Sequence, residues 1–287
     1  MNGMKVSILI AVYNEASTVG ELLERVWQER IPDSNREIII IESNSTDGSR
    51  AVVTDFARRH PDGPDRAVRL ILEPAPRGKG HAIRAGMAAA TGEVILIQDA
   101  DLEYDVGDYP LLLQPILEGR AAFVIGSRHL GPNHWRIRQF AHGSLQAALM
   151  NMGGLLFHGL FNLVFGSRLT DPTSMFKVFR ADCVHGLQLS CNRFDFDYEL
   201  LGKLMRAGFP PLEVPVSYRS RGFDQGKKIR VLRDPPGWVW AILKARFSRI
   251  RAETRPAAHR RETCAPSPAS IPPGHSPPAA AYSRSPR

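Results

Sequence analysis

Cysteine is scarce in this chain: three occur in 287 residues, Cys183, Cys191 and Cys264, and no two form a CxxC pair. That number and spacing exclude a disulfide framework and offer no zinc-site pattern, so a reducing compartment is expected. Long uninterrupted apolar runs are missing too. The best candidate, 145–165, carries Gln146, Asn151, His158, Asn162 and three glycines, which suits an interfacial or groove-forming helix better than a membrane span. The N-terminal stretch has one lysine before a short apolar run and no small-residue cleavage site, so it reads as a first strand and not as a signal peptide. No P-loop of the GxxxxGK[ST] kind is present, and no RRM, KH or zinc-finger pattern accompanies the basic balance, so a nucleic-acid partner is not expected.

With 43% hydrophobic and 23% charged residues, the chain suits one large globular domain with a sizeable core. The formal charge is +8, but residues 251–287 hold six arginines and two glutamates, so half of the excess is peripheral. Eight of the 22 prolines also lie there, and such a composition does not bury enough apolar surface to order itself. A disordered tail is expected from about Pro256. Its charge suits either anionic membrane lipid or plain solvation.

Ahead of the tail, strand and helix signals alternate. Strands are predicted over 5–12, 37–41, 69–72, 93–98 and 122–126, and helices over 16–30, 48–59, 81–90 and 109–118. This order predicts an α/β fold with a mostly parallel sheet covered by helices on both faces. Ligands of such sheets lie beyond the carboxyl ends of the strands. Tyr13, Asn14 and Glu15, then Glu42, Ser43 and Asn44, then the acids after 93–98 each follow a strand end, so all three segments converge on one crevice.

The acids are the sharpest signal. VILIQDADLE ends an aliphatic run in Asp99, Asp101 and Glu103, which share a face wherever the chain stays extended. Crowded carboxylates need a neutralising cation, and hard oxygen ligands favour Mg2+ or Mn2+ with open positions for phosphate. The alternative is a solvated acidic turn. Asp47, in the loop 43–48, reads as a cap of the next helix. Arg77-Gly78-Lys79-Gly80 precedes a helix whose N-terminal amides suit phosphate, or is a flexible turn.

IAVYNEASTV, IIESNSTDGS, RGKGHAIRAGM, LIQDADLE and VIGSRHL, in that order over residues 5–130, resemble the family 2 glycosyltransferases of GT-A fold. DPTSMFKVFR at 171–180, FDFDYELL at 194–201 and EVPVSYRSRGFDQGKKI at 213–229 are similar to the branch that transfers sugars to dolichyl or polyprenyl phosphate. The resemblance covers about 5–250. It implies a GT-A domain over 1–250, with a nucleotide-sugar half at 1–130 and an acceptor half with interfacial helices at 131–250, followed by the tail at 251–287.

The resemblance also implies roles. Asp99 and Asp101 match the family's DxD, and Glu103 stands where the lipid-phosphate branch often has glutamine as a further metal ligand. Tyr13, Asn14, Glu15 and Glu42 fall at nucleotide-contacting positions, although Ser43 replaces the second aspartate of the usual pair. Arg77 and Lys79 match the basic loop after the third strand. Arg221, Lys227 and Lys228 match a lid over the donor phosphates. Arg128 and Arg138, with Ser144 beside them, match acceptor-phosphate positions.

The implied reaction is an inverting, metal-dependent hexosyl transfer from a GDP-mannose or UDP-glucose type donor to a polyprenyl phosphate. A phosphate acceptor is already anionic at pH 7 and needs no base. Asp197 lies where other members place theirs, which keeps a hydroxyl acceptor on a glycan or lipid open. Asp195 and Asp197 otherwise read as structural, on a short strand or as a cap at Tyr198. Trp238, Trp240, Lys244, Arg246 and Phe247 mix as in an in-plane membrane helix, or as in a core-packing one. Peripheral attachment to the inner, cytoplasmic membrane face is the expectation, with room for a membrane-protein partner. A non-catalytic sugar-nucleotide module would not need the intact DAD, and a nucleotidyltransferase would carry glycines where AVYNE stands.

Overall fold

The computed structural model describes residues 4–31, 34–63, 65–130, 144–221 and 235–249, with the side chains of 144–150 outside the description. In chain order the elements are β1 (Met4–Val12), α1 (Val19–Gln28), β2 (Ser34–Glu42), α2 (Ser49–Arg59), β3 (Arg66–Leu72), α3 (Lys79–Ala89) and β4 (Val94–Asp99). There follow α4 (Tyr109–Leu117), β5 (Phe123–Ser127), α5 (Ser144–Phe165), β6 (Lys177–Arg180), α6 (Phe196–Arg206), β7 (Leu212–Pro215) and α7 (Pro235–Phe247). The chain divides into two units, Met1–Glu253 and Thr254–Arg287, and the second lies wholly outside the described residues.

The seven strands form one sheet in the order β3-β2-β1-β4-β6-β5-β7. Neighbours pair in parallel except β6, which runs antiparallel to both β4 and β5. The run of four isoleucines in β2 explains itself here. Ile38 and Ile40 join one core cluster, Ile39 and Ile41 the other, and all four are fully buried. A strand covered on both faces needs no polar alternation, and each such side chain stabilises the fold by roughly 1.5–3 kcal/mol. Helix α1 covers one face with Val19, Leu22, Leu23 and Val26, the i, i+3, i+4, i+7 stripe of an amphipathic helix.

Three differences from the sequence reading matter for the site. Helix α3 begins at Lys79, not at residue 81, so Lys79 sits in its first turn. Strand β6 was not predicted: its first residue, Lys177, is fully buried although charged. Asp197 lies on no short strand and caps no helix, being in the first turn of α6. The parallel core keeps the expected geometry. From β1 the sheet grows to β2 and β3 on one side and to β4 on the other, so the chain ends of β1 and β4 flank the crevice where ligands of such sheets lie.

Candidate active site

A cavity of about 970 Å³ opens at that crevice. Its lining is chemically mixed. Tyr13, Ser43, Pro76 and Arg77 line it together with the acids Glu15, Asp99, Asp101 and Glu103 and with Gly153, Gly154 and Phe157 of α5, and Phe157 meets Trp238 of α7. Strand exits, the start of α3 and the second half of the chain all contribute.

The acids do not assemble by strand alternation. Strand β4 ends at Asp99, and the following turn carries Asp101 and Glu103 elsewhere. Arg221 gathers them: its Nη2 donates to Asp101 Oδ2 at 2.6 Å and its backbone N–H to Glu103 Oε1 at 2.7 Å. Nη1 donates to Glu15 Oε2 at 2.9 Å. Burial and the Glu103 charge hold the Asp101 carboxyl above its ordinary range, with Arg221 opposing them. Arg221 is itself raised, its carboxylate partners outweighing the cost of burial.

Asp99 belongs to a second cluster, ion-paired with Lys79. Burial pushes the Lys79 ammonium down to about 8, against the pull of Asp197 and Asp101. Two glycines bring Lys79 there. Gly78 has φ +102°, and a Cβ on it would strike Asn192 O; a Cβ on Gly80 would lie 2.5 Å from Phe196 Cβ and 2.6 Å from Cys191 O. RGKG is therefore a close-packing device that seats α3 against residues 191–196, next to Asp197. Asp197 lines the cavity but also faces the fully buried Lys177, with Nζ 3.3 Å from its Oδ1.

Do these groups fit a divalent cation? Three carboxylates, Glu15, Asp101 and Glu103, surround one guanidinium, and the two uncompensated negative charges match one Mg2+ or Mn2+. All the donors are hard oxygens. The fit is thus to Asp101 and Glu103 with Glu15 joining, while Asp99 is engaged by Lys79. Asp99, Asp101 and Glu103 do not form a ready-made cage: among the described residues, the group of three ligand-type side chains within 4.8 Å of one another is His129, His158 and Asp171. There the carboxylate already faces a guanidinium.

That guanidinium is Arg128. Its Nε and Nη2 each donate at 2.7 Å to the two oxygens of the fully buried Asp171, and Nη2 also donates to Thr173 Oγ1 at 2.8 Å. The Arg128 charge holds the Asp171 carboxyl far below the usual carboxylate range, outweighing its burial. Nη1 has no partner among the described residues. Arg128 lies over the Tyr218 ring at 5.1 Å, and Tyr218 OH donates to Glu103 Oε2 at 2.7 Å, so the arginine is coupled to the acids through one aromatic side chain.

Two predicted donor contacts are engaged elsewhere. Glu42 is fully buried, accepts from Ser45 N–H at 2.6 Å and pairs with Arg50. Asn14, at φ +50°, accepts from Thr46 N–H at 2.8 Å. Both brace the loop after β2, and Ser43 lines the cavity in place of Glu42. Asp47 is not the cap of α2: Gly48 holds that position, and Asp47, one residue earlier, accepts from the Ser49 N–H at 3.0 Å. Arg138, Lys227, Lys228 and the Ser144 side chain lie outside the described residues. Sequence reasoning missed Glu73 and His81. Ser43 Oγ donates to Glu73 Oε2 at 2.6 Å, and His81 Nδ1 lies 2.7 Å from Glu73 Oε1. Their only signal was position, one after β3 and one in α3. Lys177 and Tyr218 were also unassigned, and Trp238, read as part of an in-plane or core-packing helix, lines the cavity as well.

Comparison with known proteins places these features in a family. The model of glycosyl transferase family 2 matches residues 7–185. A dolichyl-phosphate beta-glucosyltransferase of Trichomonas vaginalis is 28% identical over 234 residues, covering 77% of this chain and 66% of that protein. A dolichol-phosphate mannosyltransferase of Pyrococcus furiosus is 27% identical over 226 residues, covering 78% and 59%. The chain thus spans about two thirds, or less, of the length of these relatives. Among solved structures, mannosyl-3-phosphoglycerate synthase from Rubrobacter xylanophilus superposes with TM-score 0.58 at 19% identity, over 88% of this chain and 79% of that one. A mannosyltransferase from Pyrobaculum calidifontis, in complex with GDP-Man and Mn2+, gives 0.53 at 18%, over 86% and 71%. At such identities the structures show the fold, which is GT-A.

Proposed function

The chain belongs to glycosyl transferase family 2 and is a glycosyltransferase; on that premise we propose that it moves a hexose from a nucleoside-diphosphate sugar to a polyprenyl phosphate at a membrane surface. The observation that carries this reading is that one cavity combines three kinds of lining: polar Ser43 and Arg77, acidic Asp101 and Glu103, and apolar Gly153, Gly154, Phe157 and Trp238. Arg128 and Thr173 line the same cavity and suit a phosphate whose prenyl chain follows the apolar wall.

The outer faces of that wall support it. Leu156 is 68% exposed and Leu163 81% on α5; Trp240 is 67% and Phe247 75% on α7. Among the described residues no helix is long and apolar enough to cross a membrane. Helix α7 buries Ala241, Ile242 and Ala245, turns Trp238 inward onto Phe157 and presents Trp240 and Phe247 outward beside Lys244 and Arg246, so it packs on the core and suits an interface as well.

In this mechanism Asp101 and Glu103 would hold a divalent cation, whose charge when bound would offset that building on the leaving diphosphate. Lys79 and Arg221 add fixed positive charge beside it. The Arg128 Nη1 edge orients the acceptor phosphate, while Asp171 fixes the opposite edge of the guanidinium. A phosphate oxygen, anionic at pH 7, attacks C1 from the face opposite the diphosphate, and the anomeric centre inverts. Asp197 serves as a counter-ion: protonating it, as a base must be protonated, would strand the buried Lys177 charge.

The test is a radiolabelled transfer assay with the purified chain and Mg2+ or Mn2+. UDP-glucose and GDP-mannose are each offered with short polyprenyl phosphates, and the product is extracted into organic solvent. Label in the organic phase is expected; label passing only to sugar hydroxyls would overturn the acceptor assignment and restore Asp197 as base.

A further inference from the structure

A second pocket, of about 420 Å³, shares no residue with the crevice. Arg30 and Ile31 after α1, Ser34 and Arg36 at the start of β2, and Asp65 and Arg66 where β3 begins line it. These are the amino ends of parallel strands, whereas the crevice lies at carboxyl ends. Arg36 and Arg66 are held side by side there: Arg36 Nη2 and Arg66 Nη1 both donate to Trp27 O, and Arg36 Nη1 donates to Glu29 O. Arg66 also lies over the Trp27 ring at 5.4 Å. The two guanidiniums thereby cover carbonyls at the C-terminus of α1, a structural role that offsets about half a charge.

That role does not neutralise the pocket. Three guanidiniums line it against one carboxylate, the exposed Asp65, and among the described residues no carboxylate forms an ion pair with any of the three. Arg36 is 4% exposed, and its Nε is buried without a hydrogen-bond partner. Burial and the Arg66 charge push Arg36 down to about 10, against the pull of Glu29. Cations so placed call for a counter-charge that the described residues do not bring to bonding distance. We propose that this pocket binds a phosphate group, either free phosphate or the phosphomonoester headgroup of a lipid. A lining with more than one positive charge in excess matches a dianion, and guanidinium forks match phosphate oxygens. Arg66 spends one N–H on Trp27 O and Arg30 spends none on the described residues, so both keep donors for the ligand. Arg36 adds its charge from behind them. The volume falls in the range of small-molecule sites and leaves room beside the phosphate for the body of an ester.

The test titrates the full-length chain calorimetrically with inorganic phosphate at low ionic strength, beside Arg30→Gln, Arg66→Gln and the crevice variant Lys79→Gln. Arg30 is exposed, so Arg30→Gln should weaken phosphate about 3–10-fold with an unchanged melt, and the half-buried Arg66→Gln about 10–100-fold. Lys79→Gln should leave this binding within about 2-fold of the parent, since Lys79 lines only the crevice. Arg30→Glu brings in the missing counter-charge: it should raise Tm without phosphate by about 1–4 °C and abolish the further rise that phosphate gives the parent. This variant keeps the proposal falsifiable if Arg66→Gln fails to fold. Flotation with phosphatidylcholine vesicles carrying phosphatidic acid separates the two sources. A several-fold fall in Arg30→Gln and Arg66→Gln identifies the lipid headgroup, and unchanged flotation with weakened titration identifies free phosphate. Phosphate binding that survives both arginine variants and is lost in Lys79→Gln belongs to the crevice and overturns the proposal. Equal weakening in all three variants, or binding of neither probe to the parent, overturns it as well. The transferase reading stands in every case, because no residue of this pocket lines the crevice.

Discussion

Arg128 cannot be tested by simple deletion, because it serves two partners. Its side chain is 6% exposed and Asp171 is wholly buried. Arg128→Ala would leave that carboxylate with the Arg128 backbone N–H at 3.0 Å, Thr173 Oγ1 at 3.1 Å and the His158 imidazole at 3.7 Å but no guanidinium. Breaking one side of a buried pair costs about 3–5 kcal/mol. In a domain of this size each kcal/mol lowers Tm by about 2–4 °C, so a fall of about 6–20 °C is expected. Any loss of transfer in that variant would be uninterpretable.

Arg128→Lys separates the roles. An ammonium keeps a cation against Asp171, so the melt should fall by less than half as much as in Arg128→Ala. The variant lacks the Nη1 edge, whose charge-assisted hydrogen bond to the acceptor phosphate is worth about 1.5–3 kcal/mol. That corresponds to about 10–100-fold in kcat/KM for polyprenyl phosphate, with the Kd for nucleotide diphosphate within about 2-fold of the parent. The assays are differential scanning calorimetry, acceptor-dependence kinetics and nucleotide titration on the same preparation. Equal losses in acceptor use and donor affinity would refute the acceptor role. An Arg128→Ala melt within about 1 °C of the parent would refute the buried pair.

Asp101→Asn should abolish most metal-dependent nucleotide binding and turnover; undiminished turnover would remove Asp101 from the cation site. Gly80→Ala forces a Cβ against Phe196 and the Cys191 carbonyl, and should cost about 1–3 kcal/mol by overpacking. Gly159→Ala, on exposed α5 surface with nothing within 4 Å, should gain up to about 1 kcal/mol of helix propensity; paired denaturant melts check the opposite signs. Asp108 is pushed up to about 6, chiefly by burial, while the Ser217 N–H at 2.6 Å opposes the shift. The folded chain holds that proton between about pH 4 and 6 where the unfolded chain releases it, so stability from this group falls as pH rises through that window. Asp108→Asn keeps an acceptor for Ser217 and should gain about 1–2 kcal/mol at pH 7, after discounting for partial exposure. The gain should shrink toward pH 5 in melts at both values. Trp240→Ser with Phe247→Ser should reduce co-flotation with anionic vesicles several-fold while leaving nucleotide binding intact; unchanged flotation would remove α7 from the membrane contact.

Much of the fold was legible because its physics is local. Continuous aliphatic runs in β1, β2 and β4 mark strands buried on both faces, and the convergence of their exits on one crevice follows from parallel order alone. Strand β6 was illegible for the converse reason: KVFR is four residues long and starts with a charge, and it lies between β4 and β5 with that lysine held by Asp197 and the Ser174 carbonyl. The glycines of RGKG were legible as a turn but not as a packing surface, since their partners at 191–196 lie more than 100 residues downstream.

The site divides along the same line. Residue types at strand exits were readable, and Asp101, Glu103, Glu15, Lys79 and Arg128 do line the cavity. Which charge meets which was not. The face-sharing of Asp99, Asp101 and Glu103 assumed an extended chain, but β4 stops at Asp99, and the turn gives Asp99 to Lys79 and the other two to Arg221. Arg221 reaches Asp101 across 120 residues and Glu15 across 206, separations that no local pattern encodes. The pairing changes what Arg221 does. A cation bound to Asp101 and Glu103 would compete for the oxygens that Arg221 now holds. Metal entry therefore requires the guanidinium to give up part of its carboxylate contact, leaving its N–H groups free for donor phosphate. Arg221 and a bound cation would thus share one set of ligands, with the arginine neutralising those carboxylates in the cation's place.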